Sequence, residues 1–331
     1  MTATQPVLQP ADIEAKSRFV GELKSALHEV IIGQDELIHG LLIALLSGGH
    51  VLLEGVPGLA KSLAVSSLAK AVHGSFNRLQ FTPDLLPSDL IGTEIYNVRD
   101  GVFSVRKGPV FANFVLADEI NRAPAKVQSA LLEAMQERHV SIGGATYPLP
   151  DPFLVLATQN PLEQEGTYPL PEAQLDRFSQ KLIVRYPTRS EELAVLDRMA
   201  RTENTPVVRA VTSLADIAAA RSAVDCVALD PRLKEYIVSL VFATRDPGAA
   251  GLKELVGRIQ YGASPRATIW LALASRANAF LEGRGFVTPG DIKRVAPDVL
   301  RHRVLPTYEA DAEGLSSDKL VARVLETIAA P

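Results

Sequence analysis

The sequence predicts an α/β protein, in which a parallel sheet is covered by helices on both faces and a small all-α domain follows. Over residues 1–187, short apolar segments typical of buried strands alternate with helical segments. Over residues 188–331, Ala- and Leu-rich helical segments dominate and no clear strand is visible. The length of 331 residues agrees with this division, because a domain commonly has about 150 residues. We therefore place a domain boundary near residue 187.

The composition is that of an ordinary folded protein. Hydrophobic residues make up 47% and charged residues 22%, which excludes wholesale disorder. The single cysteine excludes an intrachain disulfide, and the scattered histidines disfavour a metal site. The net charge of −4 disfavours a duplex-binding protein. The longest apolar run, Leu41–Leu46, is too short to cross a bilayer and no signal peptide is visible, so we expect a cytoplasmic protein without membrane insertion.

The first elements are predicted from the spacing of apolar residues. Two helices lead to a short buried strand at 50–54, a glycine-containing loop and a third helix, and a second strand is expected at 78–81. The inward-facing positions are Leu23, Leu27, Val30, Leu37, Leu41 and Leu45 in the first two helices, and Leu63, Ala64, Leu68 and Ala71 in the third.

Two hairpins are predicted, each with a glycine-containing turn between short strand-like segments. They are 94–98 with 102–106 around Arg99-Asp100-Gly101, and 140–142 with 145–147 around Gly143-Gly144.

Two further strands are expected to be buried on both faces of the sheet. They are the continuous apolar runs Phe114–Ala117 and Phe153–Ala157. A helix between them carries Val127, Leu131 and Met135 on one side.

The strongest chemical signal is the segment GVPGLAKS at residues 55–62, between a predicted strand and a predicted helix. Gly55 and Gly58 provide the flexible backbone that turns several N–H groups towards phosphate oxygens at a helix N-terminus. Lys61 can reach the β- and γ-phosphates, and the Ser62 hydroxyl is a ligand for Mg²⁺. The segment predicts a phosphate-binding loop, with a glycine turn that caps an ordinary helix as the alternative.

Ala60 departs from the usual phosphate-loop pattern, which has glycine immediately before the lysine. Alanine at this position requires helical φ and ψ angles. The first turn of the following helix can supply these angles, so we expect Ala60 to be tolerated in that conformation.

Two carboxylates and an amide follow neighbouring predicted strands. Asp118 and Glu119 end one apolar run, and Asn160 lies at the end of the next strand. Because the carboxyl ends of parallel strands meet at one edge of a sheet, we expect them beside the phosphate loop. Asp118 would hold Mg²⁺ through water, Glu119 would deprotonate an attacking water, and Asn160 would bind that water or the γ-phosphate. Each signal alone is weak: acidic pairs after strands are common, and Asn160 also suits a turn.

Together these segments resemble the AAA+ ATPases and, within them, the MoxR family. The resemblance covers most of residues 31–270 in the expected order, and the family is similar at Ala60. The segments that carry it are GVPGLAKS (55–62), FTPDLLPSD (81–89), FVLADEINRAP (114–124), ATQNP (157–161), EGTYPLPEAQLDRF (165–178) and SPRAT (264–268).

The resemblance implies an AAA+ P-loop αβα sandwich with a helical lid, which binds ATP and Mg²⁺. Asp118 and Glu119 would be the Walker B pair, Asn160 would be sensor 1, and Ser62 with Asp118 would hold the metal. The nucleotide-binding residues would be Ile32, Gly33, Gly55, Val56, Pro57, Gly58, Leu59, Ala60, Lys61, Ser62 and Leu63.

The resemblance also gives two arginines catalytic roles. Arg266 would be sensor 2, and the preceding Ser264-Pro265 independently suits the start of a helix. Arg177 would be the arginine finger that acts on the neighbouring subunit's nucleotide. A surface ion pair with a nearby acidic residue is the alternative for Arg177, and Arg122 is the second candidate for the finger.

The family's organisation implies an assembly. Residues 1–187 would form the nucleotide-binding domain and 188–331 the lid, with hairpin inserts at about 91–107 and 139–149 directed towards the centre of a ring. No subunit would complete an active site alone, so a hexameric ring is implied. The family often acts on a protein client, together with proteins that carry a von Willebrand factor A domain, in maturing enzymes or loading metal into them.

Two other functions stay open. A nucleic-acid motor needs cationic hairpin tips. The first hairpin carries Arg99, Arg106 and Lys107, whereas residues 139–176 contain no Lys or Arg. The other alternative is a nucleotide-gated scaffold that does not hydrolyse ATP, although such a scaffold need not keep the full set of catalytic residues.

Near the C-terminus, Arg301, His302 and Arg303 are three consecutive basic residues at the end of a helical segment. Charged residues are mostly exposed in folded proteins, so we expect this group on a solvated helix end.

Overall fold

The computed structural model describes residues 10–160, 167–200 and 207–331. The strands are β1 (Val51–Glu54), β2 (Phe76–Gln80), β3 (Gly92–Asn97), β4 (Val102–Lys107), β5 (Phe114–Asp118), β6 (His139–Ile142), β7 (Ala145–Pro148), β8 (Leu154–Gln159), β9 (Gln180–Ile183), β10 (Ile259–Tyr261) and β11 (Leu305–Pro306). The helices are α1 (Pro10–His28), α2 (Asp35–Ser47), α3 (Lys61–Ala71), α4 (Pro87–Ile91), α5 (Ala125–Glu137), α6 (Glu172–Leu175), α7 (Arg189–Met199), α8 (Leu214–Asp225), α9 (Pro231–Arg245), α10 (Pro265–Leu281), α11 (Pro289–Leu300), α12 (Tyr308–Ala312) and α13 (Ser317–Thr327).

The largest sheet among the described residues has five strands, in the order β2-β5-β8-β1-β9. The pairs β2–β5, β5–β8 and β8–β1 are parallel. Residues Phe114–Ala117 of β5 and Leu154–Ala157 of β8 are fully buried, as expected for central strands covered on both faces. The predicted α/β class with a parallel sheet is therefore confirmed.

The helices bury the faces that their sequences predict. In α2 the residues Leu37, Leu41 and Leu45 are at most 3% exposed, and in α5 the residues Val127 and Leu131 are at most 1% exposed. Burial of such side chains supplies most of the stability of an amphipathic helix, because isolated helices of this length are marginal in water.

Both predicted hairpins are present. Strands β3 and β4 pair antiparallel with Tyr96 opposite Phe103, and strands β6 and β7 pair antiparallel with Val140 opposite Tyr147. The glycine of each turn has positive φ, at 67° for Gly101 and 59° for Gly143, which only glycine adopts without steric cost.

The described residues divide into two compact units that are interleaved along the chain. The first, here called the sheet unit, comprises residues 21–174 and 182–217. The second, here called the helical unit, comprises residues up to 20, 175–181 and 218–331. The single boundary near residue 187 stays a prediction of domain organisation.

Three features of the structure differ from the expectations. The helical unit contains a short ribbon in which β10 pairs with β11, although no strand was expected after residue 188. These strands are too short to show an alternating pattern. Strand β9 was also missed, because its first residues, Gln180 and Lys181, interrupt the apolar run. The expectation that Arg301, His302 and Arg303 lie on a solvated helix end is wrong. His302 and Arg303 are only 4% and 5% exposed. The physical reason is that both side chains bind main-chain carbonyls in the interior.

Among the described residues, none of the helices combines the length and the apolar character that are needed to span a membrane.

Candidate functional site

The loop between β1 and α3 has a backbone that only glycine allows at two positions. A Cβ atom on Gly55 would lie 2.7 Å from the Val184 carbonyl oxygen, which is closer than real Cβ contacts. Gly58 has a φ angle of +86°, in the left-handed region that glycine adopts freely. The loop leads into the N-terminus of α3. At that end of a helix the main-chain N–H groups and the helix dipole favour binding of an anion.

Ala60 has φ 56° and ψ 17°, so it lies in the left-handed region and immediately precedes α3. The expectation that it would take right-handed helical angles is wrong. The loop turns into the helix through a left-handed residue, which explains why glycine is usual here. An alanine in this conformation carries a steric cost of about 1–2 kcal/mol.

Lys61 is the first residue of α3, and its ammonium donates a 2.5 Å hydrogen bond to the Gly55 carbonyl. Burial lowers the pKa of Lys61, whereas the charges of Asp118, Glu119 and Glu54 act in the opposite direction. The Lys61 side chain thus folds back over the loop, near the carboxylates of Asp118 and Glu119. Its positive charge is available to bind a phosphate group.

The loop and the strands β2, β5 and β8 line a cavity of about 370 Å³ within the sheet unit. It joins the loop and the start of α3 to the side chains at the carboxyl ends of three neighbouring strands. The cavity is lined by Pro57, Gly58, Leu59, Ala60, Lys61, Ser62, Leu63, Arg78, Asp118, Glu119, Thr158 and Asn160.

Asp118 ends β5 and is held by two neighbouring strands. The Arg78 side chain on β2 donates to its Oδ2 atom from Nε at 3.1 Å and from Nη2 at 2.6 Å. The Thr158 hydroxyl on β8 donates to its Oδ1 atom at 2.6 Å. These bonds fix the orientation of the carboxylate before any ligand binds.

Glu119 also has a left-handed backbone, with φ 57°. Its N–H group donates to the Thr158 hydroxyl at 2.8 Å. Its Oε2 atom accepts hydrogen bonds from Gln80 Nε2 at 2.8 Å and from Arg122 Nη1 at 3.0 Å. One oxygen of the carboxylate is therefore held by two side chains of its own chain, which orients the group at the edge of the cavity.

Two residues that line the cavity, Arg78 and Thr158, were missed from the sequence, and so was Gln80, which binds the Glu119 carboxylate. A signal for them exists. Arg78 and Gln80 are two residues apart near the end of β2, so they share one face, and Gln80 lies directly opposite Asp118 in the sheet. Thr158 lies two residues before Asn160 in sequence. Polar residues at the carboxyl ends of parallel strands belong to the same edge as the recognised motifs.

The remaining residues predicted for the nucleotide lie elsewhere in the sheet unit. Gly55, Val56, Ile32 and Gly33 are not among the residues that line the cavity. Gly33 has a φ angle of +69°, and a Cβ atom there would meet the Glu191 side chain at 2.6 Å. The role of Ile32 and Gly33 at an adenine base stays a prediction.

Arg177 and Arg266 belong to the helical unit. Ser264 caps α10, with its hydroxyl accepting from the Arg266 N–H group at 3.1 Å, as the sequence predicted for this helix start. The Arg266 guanidinium forms a 3.3 Å ion pair with Asp176, the residue before Arg177. Arg122, the second candidate for the arginine finger, is paired with Glu119 of its own chain.

The donor set of the cavity suits Mg²⁺ bound together with a nucleotide. The oxygen atoms that could coordinate a metal ion include those of the Ser62 hydroxyl and the Asp118 carboxylate. Among the described residues no group of three or more His, Cys, Asp or Glu forms a complete metal site. Mg²⁺ commonly takes one or two protein ligands and completes its shell with phosphate oxygens and water, so these residues fit it.

The chain matches two known domain families. Residues 50–180 match the ATPase family associated with various cellular activities (AAA), and residues 257–324 match the AAA lid domain. These matches agree with the sheet and phosphate loop in one part of the chain and the helices in the other.

Three relatives are similar along nearly the whole chain. Chaperone MoxR1 from Mycobacterium tuberculosis is 50% identical over 325 residues, covering 97% of this chain and 86% of that protein. Protein MoxR from Methylorubrum extorquens is 35% identical over 96% of each chain. The crystal structure of a Cytophaga hutchinsonii protein assigned as an ATPase is 50% identical, with a TM-score of 0.92 over 97% of each chain.

A parallel sheet with a phosphate-binding loop at its carboxyl edge, followed by a matched lid, defines an AAA+ protein that binds nucleotide and hydrolyses ATP. Within that class, the identity to proteins named MoxR over almost their full length shows that the chain belongs to the MoxR family.

Proposed function

We propose that this ATPase works as a hexameric ring that hydrolyses ATP at its subunit interfaces and uses the energy to remodel a protein client. The observation that carries the proposal is that Lys61, Ser62, Asp118, Glu119 and Asn160 all line one cavity. A nucleotide-gated scaffold has no need for this complete set beside a phosphate loop.

Each residue has a physical role in the proposed reaction. Lys61 and the N–H groups of the loop bind the phosphates, and Ser62 with Asp118 would hold Mg²⁺, which neutralises charge on the phosphates when bound. Glu119 is proposed to take a proton from the attacking water, and Asn160 to orient that water. Arg266 would contact the γ-phosphate, and Arg177 would approach it from the neighbouring subunit.

The β3–β4 hairpin supports a protein client. Tyr96 and Phe103 are 51% and 66% exposed, and Val98 at its tip is 83% exposed. The two aromatic rings pack with centroids 5.0 Å apart, which forms an apolar surface that unfolded or apolar polypeptide can contact.

The names of the relatives also support a protein client, in less detail. One is named a chaperone, which agrees with action on a protein client. A partner with a von Willebrand factor A domain and a role in metal insertion stay proposals that rest on the family resemblance.

Two variants test the site. Lys61→Ala should abolish nucleotide binding, because it removes the charge that meets the phosphates. Glu119→Gln should still bind ATP but stop turnover, because an amide cannot accept the proton. Binding is measured with a fluorescent ATP analogue and turnover by phosphate release. Hydrolysis by Glu119→Gln at the parental rate would remove Glu119 as the base.

A motor that acts on nucleic acid is the second candidate, and Arg99, Arg106 and Lys107 on the first hairpin are what favour it. A gel shift with single-stranded DNA and RNA at low salt separates the two functions, because phosphate contacts are strongest there. We expect no shift. A shift that weakens with added salt would support the motor.

A further inference from the structure

The main chain on both sides of Arg177 is bound by Arg301, His302 and Arg303, the three basic residues that we had expected at a solvated helix end. Arg301 donates from Nη1 to the Lys181 carbonyl at 2.7 Å, and His302 Nε2 lies 3.2 Å from the Phe178 carbonyl. Arg303 donates to the carbonyls of Asp176, Phe178 and Ser179 at 2.9, 2.5 and 3.2 Å. All of these contacts lie within the helical unit.

Asp176 joins the same segment to the start of α10. Its Oδ1 atom accepts from Arg303 Nε at 2.7 Å, and both of its oxygens lie within 2.9 Å of the Ser264 hydroxyl. Its Oδ2 atom also accepts from Arg266 at 3.3 Å. One carboxylate therefore contacts the capping residue of α10, the sensor 2 candidate and a buried arginine.

The two arginines that share Asp176 are held differently. The Arg303 side chain is 1% exposed and its ion pair with Asp176 is short, whereas the Arg266 side chain is 46% exposed and its ion pair is longer. Burial lowers the pKa of the Arg303 guanidinium to about 10, against the opposing charge of Asp176. Arg303 is a fixed part of the core, and Arg266 can leave Asp176 at little cost.

Arg177 lies between these anchors, because Asp176 on one side and Phe178 on the other are both bound by Arg303. We infer that Asp176 and Arg303 are positioning residues, which fix the main chain on both sides of the proposed arginine finger Arg177. This inference rests on the proposed interface role of Arg177.

The inference is tested by mixing subunits, since an interface site takes its loop from one subunit and its finger from another. Arg177→Ala mixed with Lys61→Ala should recover activity, because intact sites then meet intact fingers. Asp176→Asn, which is almost isosteric, and Arg303→Met should each lower the turnover number about 100-fold, the cost of a misplaced catalytic group. Both should still bind ATP and should recover in the same mixture. Arg323→Met, which removes an exposed ion pair of the same unit, is the control.

The outcomes separate the possibilities. Parental turnover in Asp176→Asn would overturn the inference, as would loss of ATP binding in that variant. So would turnover that stays low in the mixture while Arg177→Ala recovers, because the defect would then lie in the subunit's own site. Failure of Arg177→Ala itself to recover would remove the interface arginine, and with it both proposals. If Arg303→Met does not give a cooperative melting transition, Asp176→Asn decides alone.

Discussion

At the residue scale, the cavity is surrounded by backbone conformations that are costly for side chains. Ala60 and Glu119 are both left-handed, with φ 56° and 57°. Such residues persist where the surrounding structure over-determines them, and they cluster at functional sites. For Glu119, the bond from its N–H group to Thr158 offsets part of the cost, and the conformation places the carboxylate beside Gln80 and Arg122.

The conformation of Ala60 has a measurable consequence. Ala60→Gly should raise the free energy of unfolding by about 1 kcal/mol, because glycine adopts the left-handed region without steric cost. Ala64→Gly in the same helix is the matched control and should lower it by about 1 kcal/mol or more. Urea unfolding of both variants measures the difference. A loss of stability in both would contradict the left-handed conformation at residue 60.

At the element scale, helix α11 begins with a buried network around Asp291, which is 2% exposed. Arg284 donates to both of its oxygens, at 2.5 and 2.8 Å, and Thr288 and Asn278 donate to it as well. Burial alone would raise the pKa of Asp291, but these hydrogen bonds outweigh burial and hold the pKa below its ordinary value of 3.8.

Because the pKa of Asp291 is lowered, the free energy of unfolding should depend on pH. A depressed pKa means that the stabilisation is complete above the ordinary pKa and is lost as the pH falls through the lower, folded value. At neutral pH, Asp291→Asn should lower the free energy of unfolding by about 2–3 kcal/mol. Below about pH 4 the difference between variant and parent should shrink. Urea unfolding of parent and variant at several pH values measures this difference in the free energy of unfolding. Asp225→Asn is the control for the loss of an exposed carboxylate. A difference that stays constant with pH would contradict the proposed stabilisation of the Asp291 carboxylate by its hydrogen bonds.

The β3–β4 hairpin provides a second test at this scale. Replacing Tyr96 and Phe103 by serine should weaken binding of a permanently unfolded apolar protein, because the exposed aromatic pair is the proposed contact surface. Fluorescence anisotropy of the labelled protein measures binding. Tyr308→Ser is the control, since Tyr308 is 86% exposed but lies on the helical unit. Equal weakening by the control would show that the hairpin is not the specific surface.

At the scale of the whole molecule, the proposed interface site requires assembly. Sedimentation velocity of Glu119→Gln with ATP and Mg²⁺ should show a shift from a small species to a hexamer, because bound ATP would be contacted by the finger of the neighbouring subunit. The same experiment without nucleotide is the control. A chain that binds ATP yet stays monomeric would leave Arg177 without its proposed role.

The sequence by itself determined the α/β class, the phosphate loop and the polar residues that follow β5 and β8. These features are local, because an apolar strand, a glycine-rich turn and the residue after a strand can each be recognised within about ten neighbouring positions. The family resemblance added the assignment to the AAA+ ATPases and the MoxR family, which the matches to AAA and MoxR proteins confirm.

Only the tertiary structure decided how those residues are held. Arg78 meets Asp118 across 40 positions of the chain, and Arg303 meets Asp176 across 127. Whether a basic residue near a helix end is solvated or buried depends on which distant carbonyls and carboxylates pack against it, and no local pattern records that. Burying a guanidinium is favourable only when several acceptors converge on it, and this convergence arises from the packing of the folded chain.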